Sequence, residues 1–204
     1  MNKILLNGVV NSEKEFSHEV LGEKFYKFYL KTTRISGVKD TIKCVASELY
    51  VEDVNVGTNL KIEGEIRTYN NTENEKRKLD VFVFVTEKPE VTENLDSNVT
   101  NEGIIEGYVC KKTDCRKTPK GREISELIIA VNRPYSKSDY IPCICWGRNA
   151  QRGGLLNVGD SVKLKGRLQS RIYVKKLNEK ESVEKVAYEF STRTIEVIGD
   201  KNIG

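Results

Sequence analysis

One histidine serves the whole 204-residue chain, and its isolation removes most of the chemistry that side chains catalyse. His18 lies in a polar stretch where no motif places a carboxylate or serine beside it, so neither a general base nor a nucleophilic triad can be built around it. The phosphate loop G-x-x-x-x-G-K-[ST], the zinc motif H-E-x-x-H and the dinucleotide fingerprint are all absent. No enzyme and no cofactor are expected. Long apolar runs are missing too: Ile4-Leu5-Leu6 is too short for a signal-peptide core, and nothing approaches the roughly 18 residues of a membrane span. The expectation is a cytoplasmic protein with no membrane partner. Five cysteines, odd in number and unevenly spaced, make no disulfide framework and suit a reducing compartment. Cys110, Cys115, Cys143 and Cys145 give the spacings C-x4-C and C-x-C, unlike the usual zinc knuckles. Free, buried thiols and no metal are expected.

What the chain has in abundance is itself. An offset of 99 aligns Lys27 to Ser47 with Glu126 to Trp146 without a gap and places Gly8 on Gly107. An offset of 102 then aligns Asn55-Val56-Gly57 with Asn157-Val158-Gly159, and Gly64 with Gly166. A period near 100 residues is a domain, since one core of about that size sustains itself. The charge is unevenly divided between the copies. Residues 1–100 carry 14 basic against 17 acidic side chains, whereas residues 101–204 carry 20 against 13. Positive charge gathered in one domain attracts a polyanion, of which nucleic acid is the commonest.

Alternating, β-branched and aromatic segments mark five strands per copy. In the first they fall at Lys3 to Val10, Lys24 to Arg34, Thr41 to Ala46, Asn59 to Tyr69 and Lys78 to Val85, with a loop from Asn70 to Arg77 and a helical turn within Glu48 to Asp53. In the second they fall at Gly103 to Val109, Glu123 to Val131, Asp139 to Cys145, Ser161 to Leu168 and Val186 to Val197, with a helix from Arg148 to Leu156 shortened by Gly153-Gly154. Residues 89–101 read as a linker by composition, so the expected domains are 1–88 and 102–204. The fold class is all-β with a short helix per domain: two tandem five-stranded OB-fold barrels. Gly8, Gly64, Gly107 and Gly166 fall inside strands and are assigned to barrel bends.

The run Ala130 to Tyr135, then Asp139 to Ala150, then Gly159-Asp160-Ser161-Val162, then Gly166 to Tyr173 resembles the bacterial single-stranded DNA-binding protein family in order and spacing. The resemblance implies base stacking on Tyr135, Tyr140, Trp146 and Tyr173, with Arg133, Arg148, Arg167 and Arg171 meeting phosphates or bases. It also implies binding of single-stranded DNA without strong sequence preference in replication, repair or recombination. A four-barrel assembly would here be a homodimer, and replication or repair proteins are possible partners.

The first copy matches only through the second. At the stacking positions it has Ser36, Thr41, Ser47 and Asn71, so scaffolding is its expected role, with Tyr69, Arg67, Arg34 and Lys43 left for backbone contact. Trp146 has a second reading as a core residue, while Tyr108 and the Phe25 to Tyr29 run are assigned to core or interface. The basic loop Lys111 to Arg122, and Lys175, Lys176 and Lys180, admit both DNA contact and plain solvation. The family's flexible tail with an acidic, apolar tip has no counterpart in Ile198 to Gly204, which points to a specialised paralogue. The alternative from another class is an OB-fold protein-interaction or primosome-type module.

Overall fold

The computed structural model describes residues 1–73, 76–93, 101–176 and 182–199. The first barrel consists of β1 (Asn2–Val10), β3 (Glu23–Thr33), β4 (Lys39–Ser47), β5 (Asn59–Glu73) and β6 (Lys76–Val85), with β2 (Glu15–Val20) paired outside it on β3. Its strands pair in the closed order β1, β3, β4, β6, β5 and back to β1, and β4–β6 is parallel. The second barrel repeats the circuit with β8 (Asn101–Lys112), β10 (Glu123–Arg133), β11 (Lys137–Trp146), β13 (Ser182–Val197) and β12 (Ser161–Lys176), and β11–β13 is parallel. Two five-stranded OB-fold barrels stand in tandem, as the strand order predicts. Among the described residues no helix is long and apolar enough to cross a membrane.

Alternation drives closure. Phe28, Leu30, Ile42, Ile62, Ile66 and Val83 point into the first barrel, and Leu127, Ile129, Ile141, Leu164, Leu168 and Phe190 into the second, all essentially without exposure. The strand glycines sit where backbones come closest. A Cβ on Gly8 would lie 2.5 Å from the Lys31 carbonyl oxygen, and one on Gly107 2.3 Å from that of Ala130. Gly64 and Gly166 stand likewise 2.5 Å from Phe84 O and 2.2 Å from Ser191 O. No side chain fits at those distances, so these positions shape the barrels.

Several boundaries differ from the sequence reading. The Asn70 to Arg77 segment is no simple loop: β5 and β6 stay paired from Asn70↔Leu79 to Glu73↔Lys76. In the same way β12 and β13 continue as a two-stranded arm to Lys176↔Ser182. In the second arm Arg171 to Val174 and Ser182 to Glu184 are exposed on both faces, so no in–out contrast marks it. The helix of the second copy, α1 (Arg148–Leu155), runs through Gly153 and Gly154, because a Cβ there would meet Ser125 Oγ at 2.6 Å and Cys115 N at 2.8 Å. The first copy has only a single 3-10 turn, Glu48–Tyr50, in place of a helix. Within the expected linker, β7 (Glu90–Val91) pairs with Lys61 and Leu60, and β8 already begins at Asn101. Residues 94–100, Lys180 and the side chains of Lys175 and Lys176 lie outside the described residues. β9 (Arg116–Lys117) pairs with Ile124 and Glu123, turning part of the basic loop into a hairpin.

The barrels are joined edge to edge. β1 and β8 pair antiparallel, Asn2 opposite Ile105, Ile4 opposite Gly103 and Leu6 opposite Asn101, so the 99-residue offset becomes a local two-fold about Ile4 and Gly103. Two buried carboxylates lock this arrangement reciprocally. Asp40 of the first barrel accepts from Ser170 N at 2.8 Å and Ser170 Oγ at 3.2 Å in the second. Asp139 of the second accepts from Thr68 N at 2.7 Å and Thr68 Oγ1 at 3.4 Å in the first. Each is also paired within its own barrel, Asp40 with Arg34 at 2.6 Å and Asp139 with Arg133 at 3.0 Å. Arg67 reaches across to Asp139 at 3.3 Å.

Removing either carboxylate strands a partly buried guanidinium and a backbone N–H of the other barrel. Asp139→Ala and Asp40→Ala are each expected to destabilise the protein by about 3–5 kcal/mol. Exposed Glu90→Ala is expected to change stability by no more than about 0.5 kcal/mol. Urea unfolding of the three variants measures this, and equal midpoints for all three would refute the interlock.

Candidate nucleic-acid interface

In the second barrel, period-two geometry sorts the strands into an inner and an outer set. On β11 the inner residues Ile141, Cys143 and Cys145 are buried, which turns Tyr140 and Trp146 outward. On β12 the inner Leu164 and Leu168 leave Arg167, Arg171 and Tyr173 on one row of the other face. β13 lies between those strands and contributes Glu189 opposite Gln169, Ser191 opposite Arg167, and Arg193 at the bulge that follows. Five of the eight residues chosen from the sequence therefore share the outer face of β11, β13 and β12. Their exposure rules out the core reading: Tyr140 is 44% exposed, Trp146 38% and Tyr173 37%.

The remaining three are placed differently. Tyr135 sits on the tip of the β10–β11 hairpin, 94% exposed, where it and Ser136 adopt φ of 61° and 54°. A left-handed tyrosine is uncommon, and the first barrel has Gly37 at φ 81° in the turn corresponding to Ser136. Arg148 is exposed on the first turn of α1, two residues beyond Trp146, and no hydrogen bond or ion pair to it occurs among the described residues. Arg133 is committed to Asp139.

The other arginines are held in graded fashion. Arg171 leans over the Tyr173 ring at 5.8 Å and meets Glu189 at 3.5 Å, and Glu189 in turn accepts from Gln169 at 2.8 Å. The Arg167 terminal nitrogen donates to Gln169 Oε1 at 3.3 Å. Burial first, then the neighbouring guanidiniums of Arg34 and Arg193, hold the Arg167 pKa below its ordinary value. In the basic loop, Lys112 donates to Gly154 O at 2.6 Å and Arg116 pairs with Glu126, whereas Lys111, Lys117, Lys120 and Arg122 are exposed.

The first barrel's backbone-contact set is largely occupied. Arg34 is bound to Asp40, Arg67 to Glu65 and Asp139, and Lys43 to Asp80. Tyr69 is exposed. The outer side of β6 presents Phe82 and Phe84, which sequence reasoning did not single out because Val81 to Val85 reads as one apolar run. Both rings already carry cations of the same barrel, Lys43 at 5.7 Å and Arg67 at 5.8 Å. Tyr108, assigned to core or interface, is 51% exposed on β8, which removes the core half of that assignment. The expectation of buried thiols holds for Cys44, Cys143 and Cys145 and fails for Cys110 and Cys115, which are exposed.

Residues 100–196 match the model of the Single-strand binding protein family. The likeness to that family is carried by the second barrel. The single-stranded DNA-binding protein of Oceanobacillus iheyensis is 33% identical over 78 residues, 35% of this chain and 48% of that protein. Single-stranded DNA-binding protein A of Bacillus subtilis is 28% identical over 111 residues, 51% of this chain and 62% of that protein. The chain thus spans about half the length of the curated relatives it matches. The solved structure of wild-type single-stranded DNA binding protein from Thermus aquaticus superposes with a TM-score of 0.76 at 18% identity, covering 100% of this chain and 96% of that one. At that identity the likeness is one of fold, and it extends over both barrels.

Burial pushes the thiols of Cys44, Cys143 and Cys145 up, which disfavours the reactive thiolate, and walls them from solvent. A thiol-reactive chromophore is expected to label two cysteines promptly and three more only on unfolding. Five prompt equivalents would contradict the placement of β4 and β11.

Proposed function

We propose that this chain binds single-stranded DNA largely without sequence preference, in DNA replication, repair or recombination, with the second barrel as the principal binding unit. The observation that carries the reading is the outer face of β11, β13 and β12, where Tyr140, Trp146 and Tyr173 are exposed beside Arg167 and Arg171. Every base offers a π-face, so stacking there is indifferent to sequence and contributes about 1–3 kcal/mol per base. Arg148 and the exposed cations of the β9–β10 hairpin, Lys117, Lys120 and Arg122, extend the positive surface beside it. The family-model match of the second barrel and the names of its relatives support the same reading.

The first barrel acts mainly as a scaffold in this proposal. Arg34, Lys43 and Arg67 are paired and Phe82 and Phe84 each carry a cation, which leaves Tyr69 as the exposed aromatic of its backbone-contact set. The functional units would follow the barrels, 1–88 and 102–204, and a homodimer would assemble four of them. Replication or repair proteins are the proposed protein partners.

Trp146 is the single tryptophan, so its fluorescence reports directly on the face. Titration with oligo-dT is expected to quench it strongly, with affinity falling as salt rises at a log–log slope of about −0.7 per phosphate neutralised. Trp146→Ala with Tyr173→Ala, followed by mobility shift, is expected to weaken binding by about 2–6 kcal/mol, that is, one to three per lost stack. Tyr69→Ala with Lys43→Ala should cost far less. Absence of both quenching and mobility shift would favour a protein-interaction module instead.

A further inference from the structure

The interface between the barrels is built twice, and its two ends differ in charge. At one end Arg133, Asp139, Arg67 and Glu65 meet, two cations with two carboxylates. The other end is its counterpart under the repeat offsets: Arg34 replaces Arg133, Asp40 replaces Asp139, and Arg167 and Gln169 stand where Glu65 and Arg67 do. With one carboxylate fewer, that end holds a cleft of about 460 Å³, which Glu102 also lines. Arg34 and Ile35 of the first barrel line it with Arg167, Ser191 and Arg193 of the second.

Two of the three guanidiniums have carboxylate partners, Arg34 in Asp40 and Arg193 in Glu102 at 2.9 Å. Arg167 has none. Its Nε is buried and makes no hydrogen bond, and only its terminal nitrogen finds the neutral Gln169. A buried donor without an acceptor, beside two like charges, is unfavourable until an anion supplies the acceptor. Planar guanidiniums suit a tetrahedral oxyanion, which can accept from more than one of them.

We propose that this cleft is a phosphate site, and that its occupant is a phosphodiester of the single strand held on the second barrel, an inference that rests on the function proposed above. Position supports that occupant. Arg167, Arg171 and Tyr173 lie on one row of β12, so a strand stacked at Tyr173 and followed along the row arrives at the cleft. There it comes under the positive potential of Arg34, whose Nε and one terminal nitrogen stay on Asp40.

The test compares oligo-dT binding across a salt series for the intact protein, Arg167→Gln, Arg193→Gln and a remote control, Lys61→Gln, with a thermal midpoint for each. Arg193 is exposed, so its variant decides the matter if Arg167→Gln fails to fold. The slope of log affinity against log salt is expected to fall in magnitude by about 0.7 in each arginine variant, one phosphate contact, with Trp146 quenching at saturation retained. Lys61→Gln should keep the original slope. Unchanged slopes in both arginine variants, while the intact protein still binds, overturn the cleft and leave the function standing. If the intact protein binds no oligo-dT, that function falls and calorimetry with inorganic pyrophosphate decides the cleft separately. Binding lost in Arg193→Gln sustains a site for free phosphate groups, and no binding overturns it.

Discussion

Two fully buried carboxylates, Asp40 and Asp139, hold the molecule in one arrangement. An ionised carboxylate tolerates burial only with full compensation. Here half of the compensation comes from an arginine of the same barrel and half from a backbone N–H and hydroxyl of the other. Neither barrel can satisfy its own aspartate alone. Sliding β1 along β8 would break both sets together, so the carboxylates add register to a contact that strand pairing alone defines loosely. Register in turn decides which outer faces remain open and where the clefts lie.

That constraint explains which parts of the duplication persisted. The backbone contacts at Gly8 and Gly107, or at Gly64 and Gly166, leave no room for a Cβ, and the Asp–hydroxyl links need Thr68 or Ser170 in position. The outer positions carry no such demand. There Thr41 faces Tyr140 across the offset, Ser47 faces Trp146, and Glu65 faces Arg167. Repetition preserved the frame, and divergence acted on surface whose residues closure does not specify.

The barrels were legible in the sequence because each strand has one buried face and so alternates. All ten barrel strands were placed by that signal, most within a few residues of their ends. The arms of β5–β6 and β12–β13 were not, and in the second Arg171 to Val174 and Ser182 to Glu184, exposed on both faces, show no pattern. The edge strand β2 is exposed at all six residues and gave no alternation either. All four aromatics lie on strands or a turn where exposure follows from parity or loop position. The commitment of Arg133 to Asp139 was hidden, for nothing in a lone Arg-x5-Asp spacing distinguishes a buried ion pair from two surface charges. The one available signal was that Arg34 and Asp40 repeat the spacing at the same place in the other copy.

The arginines grouped by the sequence thus divide by their free energy of release. Arg133 would have to abandon a buried carboxylate to reach a phosphate, leaving that charge uncompensated, so its contribution to an approaching polyanion is confined to long-range potential. Arg171 has a weaker hold in Glu189 at 3.5 Å and keeps its guanidinium at the face of Tyr173, where it can stack or pair without disrupting the interface. Arg148 has nothing to give up, and Arg167 has a vacant donor to fill. Contact strength on the proposed face therefore follows the order of these commitments, and positive charge counted from sequence overstates the number of cations available to a phosphate.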